Sequence, residues 1–226
     1  RKDNMTFQRA RSQEQIEKRR DDIIKSTVEL FDKVGLEKLN FSTISKKTGL
    51  TRPTIYNYFN TKEEILIQVI IQEVKEWAKE LVGEFKLNKI YKIDIIAEIW
   101  AETLSHYPKF LELYSILFTV LERNCSVKIL AQFKRDIIME MMPIMNLVTQ
   151  LFADTSQEDI YTFMINQLTS AIGLYPMSYV SEEQLKAIEL SKTGYQVPDF
   201  KQYYKKAIYQ QLFCLQNHVT LKISKE

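Results

Sequence analysis

From Lys38 to Lys62 the chain holds five cations, Lys38, Lys46, Lys47, Arg52 and Lys62, and no carboxylate. Ser42, Thr43, Thr51, Thr54, Tyr56, Asn57 and Tyr58 lie between them. Cations attract a polyanion by charge alone, and hydroxyls and amides bond phosphate oxygens or base edges. An arginine adds a planar fork that pairs twice with guanine. The wider charge distribution agrees. Residues 1–62 carry 14 basic and 8 acidic side chains, net +6, and the remainder is net −4, although the whole chain is only +2. The plainer alternative is a solvated basic face, and the residues between the charges decide it.

Other chemistries find little to work with. His106 and His218 are far apart in the sequence. There is no Cys-x-x-Cys, His-Glu-x-x-His, Gly-x-Ser-x-Gly or Glu-x-x-His. With no Gly-x-Gly and no Gly-Lys-Ser/Thr, nucleotide fingerprints are excluded as well. No enzyme activity, metal or cofactor is therefore expected. Cys125 and Cys214 are too few for a disulfide framework and fit a reducing cytoplasm. The N-terminus is too polar for a signal peptide, and no apolar run is long enough to span a membrane.

The elements that must hold the basic stretch are helices. The chain has 226 residues, 45% hydrophobic and 27% charged, with five glycines and five prolines. So few turn residues argue against β-sandwiches, barrels and nucleotide-binding sheets, and no segment alternates like a strand. The fold class is all-α. Residues 1–11 are expected to be a disordered polar arm. Ser12 to Val34 has helical periodicity through Ile16, Ile23, Ile24, Thr27, Leu30, Phe31 and Val34, and Gly35 ends it. Ser42 reads as the cap of a short helix through Thr48, with Gly49 as the break. Thr51 caps a second short helix to about Phe59. Thr61-Lys62-Glu63-Glu64 opens a long helix with a capping box, ending near Gly83 to Lys86. Further helices are expected over 94–106, 108–123, 126–152 with a kink at Pro143, 156–173, 181–192 and 199–219.

Two short helices around a glycine, behind a longer one, make a helix-turn-helix. Ile44 and Leu50 flank the turn as core, and Ile55 and Phe59 anchor the second helix. Arg52, Pro53, Thr54, Asn57 and Tyr58 are left outward. A helix of this length fits the major groove, and its Thr51-capped start suits a phosphate.

The stretch from Ile23 to Leu66, ending GLTRPTIYNYFNTKEEIL, resembles the TetR-type transcriptional regulators. The specific elements are Phe31, Gly35, Ile44, Tyr56, Phe59 and Lys62-Glu63-Glu64, over roughly residues 12–70. Ser45 stands where the family usually has alanine, and Asn40-Phe41 where a threonine is common. The resemblance implies phosphate contacts from Tyr56, Lys62, Ser42 or Thr43, and Lys46. It implies base contacts from Arg52, Thr54, Asn57 and Tyr58.

Three segments follow: the arm 1–11, the DNA-binding domain 12–62, and a helical effector-binding and dimerisation domain 63–226. The family's architecture implies a homodimer through the helices near 156–173 and 199–219, a double-stranded palindromic operator, and a small-molecule effector. Wall candidates for its pocket are Trp100, Phe110, Tyr114, Phe118, Met139, Met142, Phe163, Gln167 and Tyr175, since aromatic and Met side chains line adaptable apolar sites. The same residue types also fill any helical core. A helical lipid or small-molecule carrier, and a regulator controlled by a partner protein, are the competing readings; the carrier would not need the acid-free stretch, and the shape of the cavity separates the partner-controlled regulator.

Overall fold

The computed structural model describes residues 2–86 and 89–219, with side chains from residue 13 onward. Ten α-helices are present among them: α1 (Lys2–Lys38), α2 (Phe41–Thr48), α3 (Arg52–Tyr56), α4 (Lys62–Gly83), α5 (Ile93–Ser105), α6 (Pro108–Ser115), α7 (Val127–Leu151), α8 (Gln157–Ser178), α9 (Glu182–Ser191) and α10 (Phe200–Gln216). No strand occurs among the described residues, so the expected all-α class holds. None of their helices is long and apolar enough to cross a membrane.

Four local expectations are corrected. Helix α1 already begins at Lys2, where a disordered arm is expected over 1–11. The Lys, Met, Gln, Ala and Arg residues there are good helix formers, and neither Gly nor Pro interrupts the stretch. The helix expected over 108–123 stops at Ser115 and continues as a π-helical turn (Leu117–Leu121) and a 3₁₀ turn (Glu122–Asn124). Helix α8 passes through Gly173 and Pro176 to Ser178 instead of ending at Gly173. One interior glycine costs only about 1 kcal/mol, which packing overrides. The first short helix is capped by Asn40, not by Ser42.

The chain divides into two compact units, residues 1–70 with 117–133, and residues 71–116 with 134–226. The first unit is therefore larger than the 12–62 segment read from the sequence. Its core is built from Ile23 and Phe31 of α1, Ile44 of α2, Ile55 of α3, and Ile65, Leu66 and Val69 of α4. Leu39 and Phe59, from the connections, join them, and Leu117 and Leu121 of the later segment are buried too. Cys125 belongs to the same unit; burial, then the carboxylates of Glu64 and Glu63, push its thiol up to about 12, so it is an inert side chain at neutral pH.

In the second unit α10 packs on α5 and α8, and α6 packs on α8. Trp77, Trp100, Phe110, Phe163, Tyr204, Ile208 and Leu212 fill its centre. On its surface Lys205 bonds Glu98, and Lys201 pairs with both Glu98 and Glu102, tying α10 to α5. The bond from Lys205 is the main reason the Glu98 carboxyl is held below the usual carboxylate range. A carboxyl whose folded pKa is depressed stabilises above its unfolded pKa and loses that contribution as pH falls through the folded one. A Lys201→Met/Lys205→Met variant is therefore expected to melt below wild type at pH 7, with the gap closing toward pH 3. Thermal melts at both pH values check this.

Candidate nucleic-acid interface

Asn40 opens the helix-turn-helix of the first unit. Its side-chain Oδ1 accepts from the N–H groups of Ser42 (3.0 Å) and Thr43 (3.1 Å). Thr43 completes the box, accepting from the Asn40 N–H at 3.1 Å and donating to the Asn40 carbonyl at 2.7 Å. That work occupies the Thr43 hydroxyl. The Ser42 hydroxyl has no hydrogen-bond partner among the described residues, and it is the freer of the two phosphate candidates.

The turn between α2 and α3 depends on Gly49, which sits at φ 70°, ψ 5° and donates to the Ser45 carbonyl at 3.0 Å. Ser45 then explains itself: its hydroxyl donates to the Leu50 carbonyl at 2.6 Å, a bond alanine cannot make. An added Cβ at Gly49 would meet open space, so the cost of replacing it is purely conformational. Gly49→Ala is expected to destabilise the protein by about 1–2 kcal/mol, the left-handed penalty for an L-residue. Gly83→Ala, in a helix without positive φ, is expected to be neutral or mildly stabilising. Urea unfolding of the two variants separates the cases.

Helix α3 starts at Thr51, whose hydroxyl accepts from the Thr54 N–H at 3.3 Å and shares a 2.8 Å bond with the Thr54 hydroxyl. It is shorter than the sequence suggests, but the Phe59 N–H still bonds the Ile55 carbonyl at 3.1 Å. Ile55 and Phe59 are buried and fix the helix from beneath. That leaves Arg52, Pro53 and Asn57 exposed, with Thr54 and Tyr58 half-buried at the margin. Arg52 has no ion pair among the described residues, so its guanidinium is unspent. Tyr56 is 55% exposed, its ring set edge-on against Phe41 at 4.7 Å and its hydroxyl unbonded.

The lysines divide by partner. Lys46 is exposed and unpaired among the described residues. Lys47 pairs with Glu29 of α1 at 2.8 Å, and that bond holds the Glu29 carboxyl below its ordinary range. Lys62 donates to the Leu36 carbonyl at 2.6 Å. The break at Gly35 (φ 73°) precedes that carbonyl, so the chain end of α1 and the foot of α4 are clasped together. The clasp uses one of three ammonium donors.

Sequence reasoning missed Arg20 here and named Glu64 only as part of a motif. Arg20 lies over the Phe59 ring at 5.3 Å and donates to Gln68 of α4 at 2.7 Å, holding the end of the helix-turn-helix to its neighbours. It reads in sequence as one charge among many. Glu64 is buried and accepts from the Asn60 backbone N–H at 2.8 Å; the capping-box pattern was its signal.

Residues 23–69 match the bacterial regulatory proteins of the tetR family, and residues 71–213 match the tetracyclin repressor-like C-terminal domain. The chain belongs to the tetR family. One curated TetR-family relative is the HTH-type transcriptional regulator BetI of Stenotrophomonas maltophilia (strain R551-3), 33% identical over 70 residues. That match covers 31% of this chain and about a third (35%) of the relative's length. A TetR/AcrR regulator from Thermobifida fusca superposes with a TM-score of 0.53 at 20% identity, covering 90% of this chain and all (100%) of the other. Thermus thermophilus FadR, a TetR-family repressor solved with lauroyl-CoA, gives 0.52 at 15% identity, covering 92% and 98%. These two likenesses establish the TetR fold.

The C-terminal half of this TetR chain gathers six of the nine pocket candidates and leaves three apart. Trp100, Phe110, Phe163 and Gln167 are buried together, and the Tyr114 ring lies tilted against Phe110 at 5.1 Å. Tyr175 reaches the group through Phe200, at 6.5 Å, and Phe200 stacks on Tyr204. Phe118 (51% exposed), Met139 (69%) and Met142 (40%) lie on the surface instead. Phe118 belongs to the first unit, and both methionines fall on the outward side of α7. Two surface pockets of about 210 and 340 Å³ also occur in this unit. The smaller is lined by Glu80, Glu84, Glu98, Glu102 and His106, and neither involves the gathered aromatics.

Proposed function

We propose that this regulator is a ligand-responsive repressor, acting in the cytoplasm and binding a palindromic operator as a homodimer. The observation that carries the reading is the α3 face. Arg52 and Asn57 are exposed and unpaired, Tyr56 offers a free hydroxyl beside them, and the helix beneath is immobilised by Ile55 and Phe59. In this reading Arg52, Thr54, Asn57 and Tyr58 read base edges, with Pro53 against the groove wall. Ser42, Thr43, Lys46, Thr51, Tyr56 and Lys62 hold phosphates. Arg52 is the guanine reader.

The dimer is supported by what α8 and α10 leave outside. Ile160, Phe163, Met164, Ile208, Leu212 and Leu215 are spent on the subunit's own core. Tyr161 and Ile165 on α8, and Tyr209 and Phe213 on α10, remain exposed as i, i+4 pairs. A single reading head contacts few phosphates; two heads at half-sites one helical turn apart supply the affinity. FadR's complex with lauroyl-CoA supports an effector in the helical half. An effector that binds the non-DNA state better shifts the population off the operator.

An electrophoretic shift on the duplex upstream of the chain's own gene tests the reading. Retention of that duplex over a scrambled one, with affinity falling steeply from about 50 to 200 mM salt, is the expected result. Equal retention of both duplexes contradicts it.

A further inference from the structure

The second unit contains two buried N–H groups with nothing to bond. Trp77 and Gln167 are both fully buried, and neither the Trp77 Nε1 nor the Gln167 Nε2 has a hydrogen-bond partner. They come from α4 and α8, and each side chain lies beside Trp100. The Trp77 and Trp100 rings are 6.3 Å apart, and Trp100 Nε1 donates to Gln167 Oε1 at 3.4 Å. The amide orientation is fixed by its partners. Tyr204 donates its hydroxyl to the same Oε1 at 2.6 Å, and burial keeps that phenol protonated. In this orientation the oxygen serves both donors, and turning the amide over would set its NH₂ against the Trp100 N–H.

A buried donor without an acceptor costs free energy that an apolar residue of the same shape would not. Here two such donors lie in one aromatic cluster completed by Phe110, stacked 5.9 Å from Trp77, and Phe163, 5.2 Å from Trp100. What the cluster lacks is an acceptor. It also lacks charge: among the described residues the buried charged side chains are Glu63 and Glu64, both in the first unit, and no Lys, Arg or His is buried. A charged ligand would lose its hydration with no counter-ion to replace it.

We infer that the effector is a neutral, largely aromatic or aliphatic compound carrying a carbonyl-type oxygen, which accepts from Trp77 Nε1 and Gln167 Nε2 inside this cluster. The inference rests on the proposed effector response and narrows it. Because Phe110 stacks on Trp77, a bound ring takes over that stacking and the side chains repack around it. Trp77 lies on α4, the helix that begins at Lys62, so occupancy acts on an element that also carries a proposed phosphate contact.

Three probes of nearly one size separate the features: 4-phenylbutan-2-one, butylbenzene and 4-phenylbutanoate. Calorimetry gives their affinities for the full-length protein. Emission locates them, since Trp77 and Trp100 are the chain's two tryptophans and both sit in the cluster. The ketone is expected to bind about tenfold tighter than butylbenzene, equivalent to about 1.4 kcal/mol, and tighter than the carboxylate. It is also expected to shift the tryptophan emission. Trp77→Phe keeps a ring and removes the indole donor; Trp77→Leu removes the donor together with the ring. Each is expected to cut the ketone's advantage over butylbenzene by roughly three- to tenfold. Equal affinity for ketone and hydrocarbon, no binding of the ketone, tightest binding of the carboxylate, or an advantage retained in both variants overturns the inference. No DNA is present in these measurements, so operator binding can fail or succeed independently of them.

Discussion

Ile55→Ala is expected to lower the unfolding free energy by about 2–5 kcal/mol and, with it, to abolish operator retention at growth temperature. Ile55 is completely buried on a helix of only five residues. So short a helix has almost no stability of its own, and its position depends on what its inner face packs against. Deleting three carbons there leaves a cavity in the buried core beneath α3, and the face above it loses its floor. Stabilities of about 5–15 kcal/mol are typical, so this one change removes a large part of the reserve. Ile90→Ala, at a position 96% exposed, is the control and is expected to fall within about 0.5 kcal/mol of wild type. Urea titrations followed by circular dichroism measure both.

The second large effect belongs to Arg52. Its guanidinium is exposed and carries no ion pair among the described residues, so nothing in the protein has to be broken for it to reach DNA. Arg52→Ala is expected to leave stability unchanged while reducing discrimination between operator and scrambled duplex by about 1–3 kcal/mol, or roughly 5- to 150-fold. Lys46→Ala should behave differently: a phosphate contact weakens all duplexes alike and reduces the salt slope by about one. Competition anisotropy with both duplexes distinguishes a base reader from a phosphate holder. Unchanged discrimination in Arg52→Ala would remove α3 from the groove.

The two halves of the chain were legible to different degrees, for physical reasons. Around the turn, function constrains single residues. Gly49 must take a left-handed conformation, Thr51 must cap, and Ile55 and Phe59 must face inward at i and i+4, so residue type alone reveals geometry. Ser45 looked like a mere departure, because its bond to the Leu50 carbonyl depends on how two helices cross. Asn40 was passed over as the cap since Ser42 is also a good capping residue, and only the backbone angles at Asn40 separate them. In the helical half, apolar periodicity says which residues face inward but not what they face. Met139 and Met142 have the chemistry of pocket residues and lie on the outer side of α7, whereas Gln167, a polar residue in an apolar helix, is at the centre. Gly173 and Pro176 read as an end, yet α8 runs through both because packing outweighs one glycine and one lost backbone bond.

The central claim is that two copies of α3 occupy duplex DNA side by side. Sedimentation velocity of the protein with the labelled upstream duplex, at about 50 and 200 mM salt, tests it most directly. Two chains per duplex, with the complex dissociating as salt rises, is the predicted outcome. One chain per duplex at every concentration, or a complex indifferent to salt, contradicts the account.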